Sequence, residues 1–191
     1  PLKLPYTAQN PDLANGRHAV SIDERRCYFR NNLWGAQLPA QTIKQVWFAG
    51  VHSDVGGSYA EAQSGLSKIA LEWMLCEASD YGLLIDPQKA NDVLGRTSSP
   101  HYVPPDARGE LHNSLTWKWW LLEALPHSYY DYATKKKKWR IPLGTRRKIP
   151  DGSVLHETVD EKRRIDPNYK PSNLPQDYSL EPRRACTFPV V

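Results

Sequence analysis

Gln45–Tyr59, QVWFAGVHSDVGGSY, is the stretch on which the reading of this chain turns. An apolar run of strand formers (Val46, Trp47, Phe48, Ala49, Val51) delivers His52, Ser53 and Asp54 into the glycine pair Gly56-Gly57. Open α/β sheets present catalytic groups at the carboxyl ends of their strands, where glycine lets the backbone turn tightly. Asp54 is therefore a candidate catalytic acid. The plainer reading is a strand-end aspartate capping a turn, because Asp side chains readily bond nearby backbone. An amphipathic helix is predicted next. Ser64 or Ser67 caps it, Leu66, Ile69, Ala70 and Trp73 recur at helical spacing, and Gly82 ends it.

Outward from this centre the pattern is less regular. Pro1 to Pro11 carries three prolines and reads as a connector. Asp12 is a plausible N-cap for a helix over about Leu13 to Phe29, and Asn31 to Gln41 is a loop. Asp86 to Gly109, with Pro87, Pro100, Pro104 and Pro105, predicts an excursion over the surface with a short helix near Asn91. Ser114 to Leu125, SLTWKWWLLEAL, predicts a helix stopped by Pro126. Its Trp117, Trp119 and Trp120 could wall an active site, but core packing is expected of at least two. Arg140 to Ile149 alternates like a strand, and SVLHETV (Ser153 to Val159) follows the turn at Asp151-Gly152.

Composition narrows the class. A chain of 191 residues suffices for one domain with a sizeable core. Its 40% hydrophobic and 24% charged residues fit a globular protein rather than a disordered or membrane-embedded one. No apolar run approaches the roughly 20 residues that span a bilayer, and no signal peptide opens the chain. Cys27, Cys76 and Cys186 are odd in number and lack metal spacing, so neither a metal site nor a disulfide framework is expected. A reducing, cytoplasmic setting is the default, and no cofactor is implied. Part of the net charge of +4 gathers in KKKKWR, Lys135 to Arg140, followed by Arg146, Arg147 and Lys148. Such a run is ordinarily a solvated loop. Lys135, Lys136, Lys137 and Lys138 are nonetheless a candidate contact for an anionic membrane surface. Nucleic acid is not expected, since no helix-turn-helix, finger or RNA-binding signature accompanies the run.

His156 lies about a hundred residues after Asp54. Acid then histidine is the order that α/β-hydrolases show after a nucleophile on a G-x-S-x-G elbow. There the histidine takes the serine proton, while the carboxylate fixes its tautomer and stabilises its charge. The local pattern occurs twice, as Leu111-His112-Asn113-Ser114-Leu115 and Leu155-His156-Glu157-Thr158-Val159. His156 is the favoured triad histidine. His112, which a helix-capping role would also explain, is its rival.

HAVSIDERR (His18 to Arg26), VWFAGVHSDVGGSY, LSKIALEWM (Leu66 to Met74), SVLHETV and YKPSNLP (Tyr169 to Pro175) together resemble an α/β-hydrolase family numbered 2235 among the domains of unknown function. It includes phospholipase effectors of type VI secretion systems. The resemblance spans roughly Leu13 to Pro175 and implies a serine hydrolase of ester bonds, with lipids as the substrate class. It carries the triad acid onto Asp54 and the triad histidine onto His156, with Thr158 where the family usually has serine. It also raises export as an effector.

One departure is larger: no G-x-S-x-G occurs anywhere in the sequence. In the family the elbow precedes everything quoted above. The expectation is thus the C-terminal portion of an α/β-hydrolase-like domain over residues 1–175, a mostly parallel sheet flanked by helices, with a tail over 176–191. Its N-terminal strands and nucleophile elbow would come from an absent segment, and at least one strand edge should lack a partner. Two functions fit: a phospholipase or esterase part supplying Asp and His, or a non-catalytic interaction module.

Overall fold

The computed structural model describes residues 9–29, 31–98, 101–131 and 136–188. Four strands, β1 (Asn15–Ser21), β2 (Thr42–Phe48), β5 (Ser153–His156) and β6 (Tyr178–Glu181), form one sheet in the order β1-β2-β5-β6. All three pairings are parallel, with Val20 opposite Trp47, Trp47 opposite Leu155, and Leu155 opposite Leu180. The helices are α1 (His52–Gly56), α2 (Gly65–Asp80), α3 (Pro87–Val93), α4 (Trp117–Glu123) and α5 (Thr158–Ile165). The remaining strands, β3 (His127–Asp131) and β4 (Lys136–Arg140), pair antiparallel as a separate hairpin.

Strand β2 explains why the central stretch was so apolar. Successive side chains of a strand point to opposite faces. Trp47 joins Val20, Ile22, Leu155, Val159 and Tyr169 on one side. Val46 and Phe48 join Val55, Leu66, Ile69 and Trp73 of α1 and α2 on the other. A parallel strand covered on both faces reads as a continuous apolar run. Helix α2 ends as expected: Gly82 has φ 87°, and the amides of Gly82 and Leu83 close onto Ser79 and Ala78. Asp86 caps α3 by accepting from the amides of Gln88 and Lys89.

Several expectations change. The helix expected over Leu13 to Phe29 is instead β1 and the turn after it. Its Val20 and Ile22 enter one core and Ala19 packs against the other, and the charged Asp23-Glu24-Arg25-Arg26 falls at the strand's carboxyl end. The strand expected over Arg140 to Ile149 ends at Arg140 because Pro142 lacks a donor and Leu143 and Gly144 take positive φ. Trp117 and Trp120 are 70% and 41% exposed, so only Trp119 of the three is half-buried. The expected tail over 176–191 contains β6, which pairs with β5 and is part of the sheet. Its Cys186 forms a disulfide with Cys76 of α2, 110 residues away, where a reducing default had predicted none. Cys27 is buried and is not part of this bridge. Among the described residues, β1 has a strand on one side only.

Candidate active site

Asp54 enters the site from α1, just past the carboxyl end of β2. Its side chain is buried and reaches back along its own turn: Oδ2 accepts the Val51 amide at 2.9 Å. The same oxygen accepts the His112 amide at 3.3 Å, and Oδ1 lies 2.6 Å from His112 Nδ1. The structure thus brings His112, rather than His156, against Asp54.

The turn that aims Asp54 is held from behind. Gly50, at φ 114°, has no room for a side chain, since a Cβ there would fall 2.3 Å from Asp54 Cβ. Asp23 exchanges two bonds with Gly50, its carboxylate taking the Gly50 amide and its own amide donating to the Gly50 carbonyl, both at 2.9 Å. Tyr169 donates to the same Asp23 carboxylate at 2.8 Å. Burial and the Asp23 charge raise the Tyr169 phenol, which keeps it a donor.

His112 sits in the long connection between α3 and α4. Lys162, reaching in from α5, donates to the carbonyls of Ala107 at 3.1 Å and Gly109 at 2.8 Å. Burial lowers the pKa of this amine. Ser114 donates to Glu24 at 3.1 Å, and the Tyr59 ring stacks on the imidazole with centroids 3.6 Å apart. Among the described residues, His112 Nε2 is buried without a hydrogen-bond partner; Glu110 has a carboxylate oxygen 3.9 Å away. If Nδ1 donates to Asp54, Nε2 carries the free lone pair of a general base.

A second polar cluster adjoins this pair. Glu24 lies 2.6 Å from His52 Nδ1 and 3.0 Å from the Arg26 guanidinium, and Ser53 Oγ is 3.2 Å from His52 Nε2. Burial would raise the Glu24 carboxyl, but hydrogen bonds from Arg26 and His52 outweigh it and hold it at about 2. His52 and Tyr59 line a cavity of about 650 Å³ that runs along β1, with His18, Ser21, Lys68 and Arg147 also on its wall.

His156 is elsewhere. At the carboxyl end of β5 it is 2% exposed and stacked on Phe48 with centroids 4.8 Å apart. Its Nδ1 lies 2.8 Å from Thr158 Oγ1, and burial pushes its pKa down to about 4. Lys136, Lys137 and Lys138 are exposed on β4, and Lys135 lies outside the described residues. Glu24, Tyr59 and Lys162 were not singled out in the sequence. The charged run after β1 was the available signal for Glu24; Lys162, one charge among five consecutive ones in α5, offered none. Among the described residues, no group of three or more His, Cys, Asp or Glu stands ready to hold a metal ion. No helix there is long and apolar enough to cross a membrane.

Residues 2–77 match the family described as "T6SS, Phospholipase effector Tle1-like, catalytic domain". The match is the family that the sequence motifs resembled, and it takes in β1, β2, α1 and Asp54 but neither His112 nor His156. The chain is also similar to "Uncharacterized protein YEL023C" of Saccharomyces cerevisiae (strain ATCC 204508 / S288c), 24% identical over 200 residues. That alignment covers 68% of this chain and 29% of the yeast protein, so the chain spans less than a third of this relative's length. No solved structure matches.

Proposed function

We propose that this chain supplies the acid and base of a serine hydrolase that cleaves carboxylic esters of lipids, on an α/β-hydrolase-like sheet. The observation that carries the reading is the Asp54–His112 pair, with Nδ1 tied to the carboxylate and Nε2 buried and unpartnered among the described residues. That is the arrangement a nucleophilic hydroxyl requires at Nε2. The proposed roles are Asp54 as orienting acid and His112 as general base. His156 becomes a structural histidine that packs β5 on Phe48. Matching to a phospholipase effector family supports lipid as the substrate, and export as an effector is part of the same proposal.

In this mechanism a serine from a segment outside this sequence donates its proton to His112 Nε2 as its oxygen attacks the ester carbonyl. Asp54 stabilises the resulting imidazolium and stays ionised. His112 then returns the proton to the leaving alcohol, and water repeats the cycle on the acyl-enzyme. The test is hydrolysis of a short-chain chromogenic ester by this chain with and without the upstream G-x-S-x-G segment. Activity only with the segment, lost by about 10³-fold or more in Asp54→Asn and His112→Ala and kept in His156→Asn, is the expected result. Full activity in His112→Ala would overturn the assignment.

A second reading has one observation in its favour. Ser53, His52 and Glu24 form a hydrogen-bonded chain within this sequence, in the order nucleophile, base, acid. Arg26 also lies 2.8 Å from His52 Nδ1 and competes for the same nitrogen. Hydrolysis by this chain alone, lost in Ser53→Ala, would favour this reading. Silence with and without the segment would favour the non-catalytic interaction module.

A further inference from the structure

The surface built by α4 and the strand β4 is unusual for its apolar exposure. Trp117 and Leu121, four residues apart on α4, and Leu125 just past the end of the helix are 70%, 63% and 55% exposed. Trp139 on β4, and Ile141 and Leu143 in the segment that follows it, are 66%, 53% and 59% exposed. The two stretches are joined. Leu143 donates its amide to the Glu123 carbonyl at 3.1 Å, and the Glu123 carboxylate accepts the Gly144 amide at 3.0 Å. His127, just after α4, stands opposite Arg140 in the hairpin.

Exposed charge along 117–125 and 136–143 is all positive, while β3 sets Asp131 opposite Lys136. Lys118, Lys136, Lys137, Lys138 and Arg140 are all exposed. Across 117–125 and 136–143 the sole acid is Glu123, which is fully buried and turned inward onto the amides of Cys27 and Gly144. Lys137 lies 5.6 Å over the Trp139 ring, which sets an ammonium directly beside an exposed indole. Large apolar patches mark contact sites. A second copy of the chain would set this positive fringe against itself.

We infer that the α4–β4 surface docks on an anionic phospholipid bilayer. Tryptophan and leucine enter the headgroup–acyl boundary, while the lysines lay their stems along the apolar patch and hold their ammonium groups at the phosphates. The inner face of α4 ties this surface to the candidate site. Trp119 packs edge-on to Phe29 at 5.6 Å, and the Arg26 guanidinium that pairs with Glu24 lies 4.9 Å over the Trp119 ring. His112 is five residues before Trp117, at most about 18 Å of chain. Docking would therefore hold His112 within about that distance of the α4 residues at the lipid surface. Binding is measured without turnover, so it does not depend on the hydrolase reading.

The experiment is flotation of the protein with vesicles of phosphatidylcholine alone and of equal parts phosphatidylcholine and phosphatidylglycerol. The expected result is binding to the mixed vesicles that falls with added salt, and at least about tenfold weaker binding to the neutral ones. Trp117→Ser/Leu121→Ser/Leu125→Ser and Lys136→Glu/Lys137→Glu/Lys138→Glu should each lose at least about tenfold. The exposed Lys170→Glu should change little, and circular dichroism should match wild type in all three. Failure to float with mixed vesicles, or binding by either triple variant equal to that of the wild type, overturns the inference. So does a concentration-dependent dimer that the apolar variant dissolves while vesicles never bind.

Discussion

His156 should make this protein acid-labile, and the size of the effect follows from its burial. An unperturbed histidine titrates near 6.5, and His156 is pushed down to about 4, chiefly because burial disfavours the imidazolium. The folded state therefore keeps His156 neutral where the unfolded chain has already taken up a proton. Stability from this group is fully present above pH ~6.5 and is lost as pH falls toward ~4, where the folded form finally protonates. A gap of about 2.5 units at 1.36 kcal/mol each amounts to about 3 kcal/mol in all, most of it lost by about pH 4.5.

Every carboxylate also contributes to acid denaturation, so the measurement must be a difference. His156→Asn keeps an oxygen acceptor where Nδ1 faces Thr158 and does not titrate. The variant loses the ring that stacks on Phe48 and should be less stable at all pH values. Urea unfolding at about pH 7.5 and about pH 4.5 should show the wild type losing about 2.5 kcal/mol more than the variant between the two. Equal losses would refute the reasoning, because they would mean that His156 protonates as readily in the folded state as in the unfolded chain.

Two other outcomes are expected. Gly50→Ala should reduce ester hydrolysis in the intact hydrolase by about 10²-fold or more, because the new methyl would meet Asp54 Cβ at 2.3 Å and misaim the carboxylate; normal kinetics in that variant would show that the turn tolerates the shift. Cys186→Ser opens a loop closed over 110 residues and should cost up to about 5 kcal/mol on the chain-entropy account. Urea midpoints that do not move between this variant and the oxidised wild type would mean the bridge constrains nothing.

Legibility in the sequence followed how local each determinant is. Strand β2 and the acid turn were readable because both faces of β2 are covered, so burial leaves an unbroken mark on Val46 to Val51. Strand β1 was misread because it lies at the sheet edge and begins with polar residues, and the charged turn after it suited a helix as well. The histidines could not be separated at all from local pattern, since both stand in Leu-His-x-Ser/Thr. What separates them is tertiary: Lys162 grips the carbonyls of Ala107 and Gly109, and Asp106 donates to Gly65, folding the connection over α1 and α2. No spacing reports such contacts. Nor does spacing report which two of three cysteines pair.

The edge of β1, open among the described residues, offers the sharpest way to separate a segment that completes the site from one that merely activates it. The Ala14 carbonyl accepts from Thr42 and the Ile22 amide donates to Phe48, so the even-numbered groups of β1 face β2. The amides and carbonyls of Arg17 and Ala19 then face outward, in the pattern an added parallel strand uses. Ser21 is less open, because the Arg147 guanidinium already donates to its carbonyl and hydroxyl. We predict that a completing segment pairs over Asn15 to Ala19 and turns into the cavity lined by Ser21, His52 and Tyr59. Ala19→Pro removes an outward donor while sparing the ladder to β2, a place where edge strands accept proline. This variant should unfold near the wild-type urea midpoint yet lose the activity restored by the upstream segment. Undiminished restoration would mean that the serine reaches His112 without using this edge.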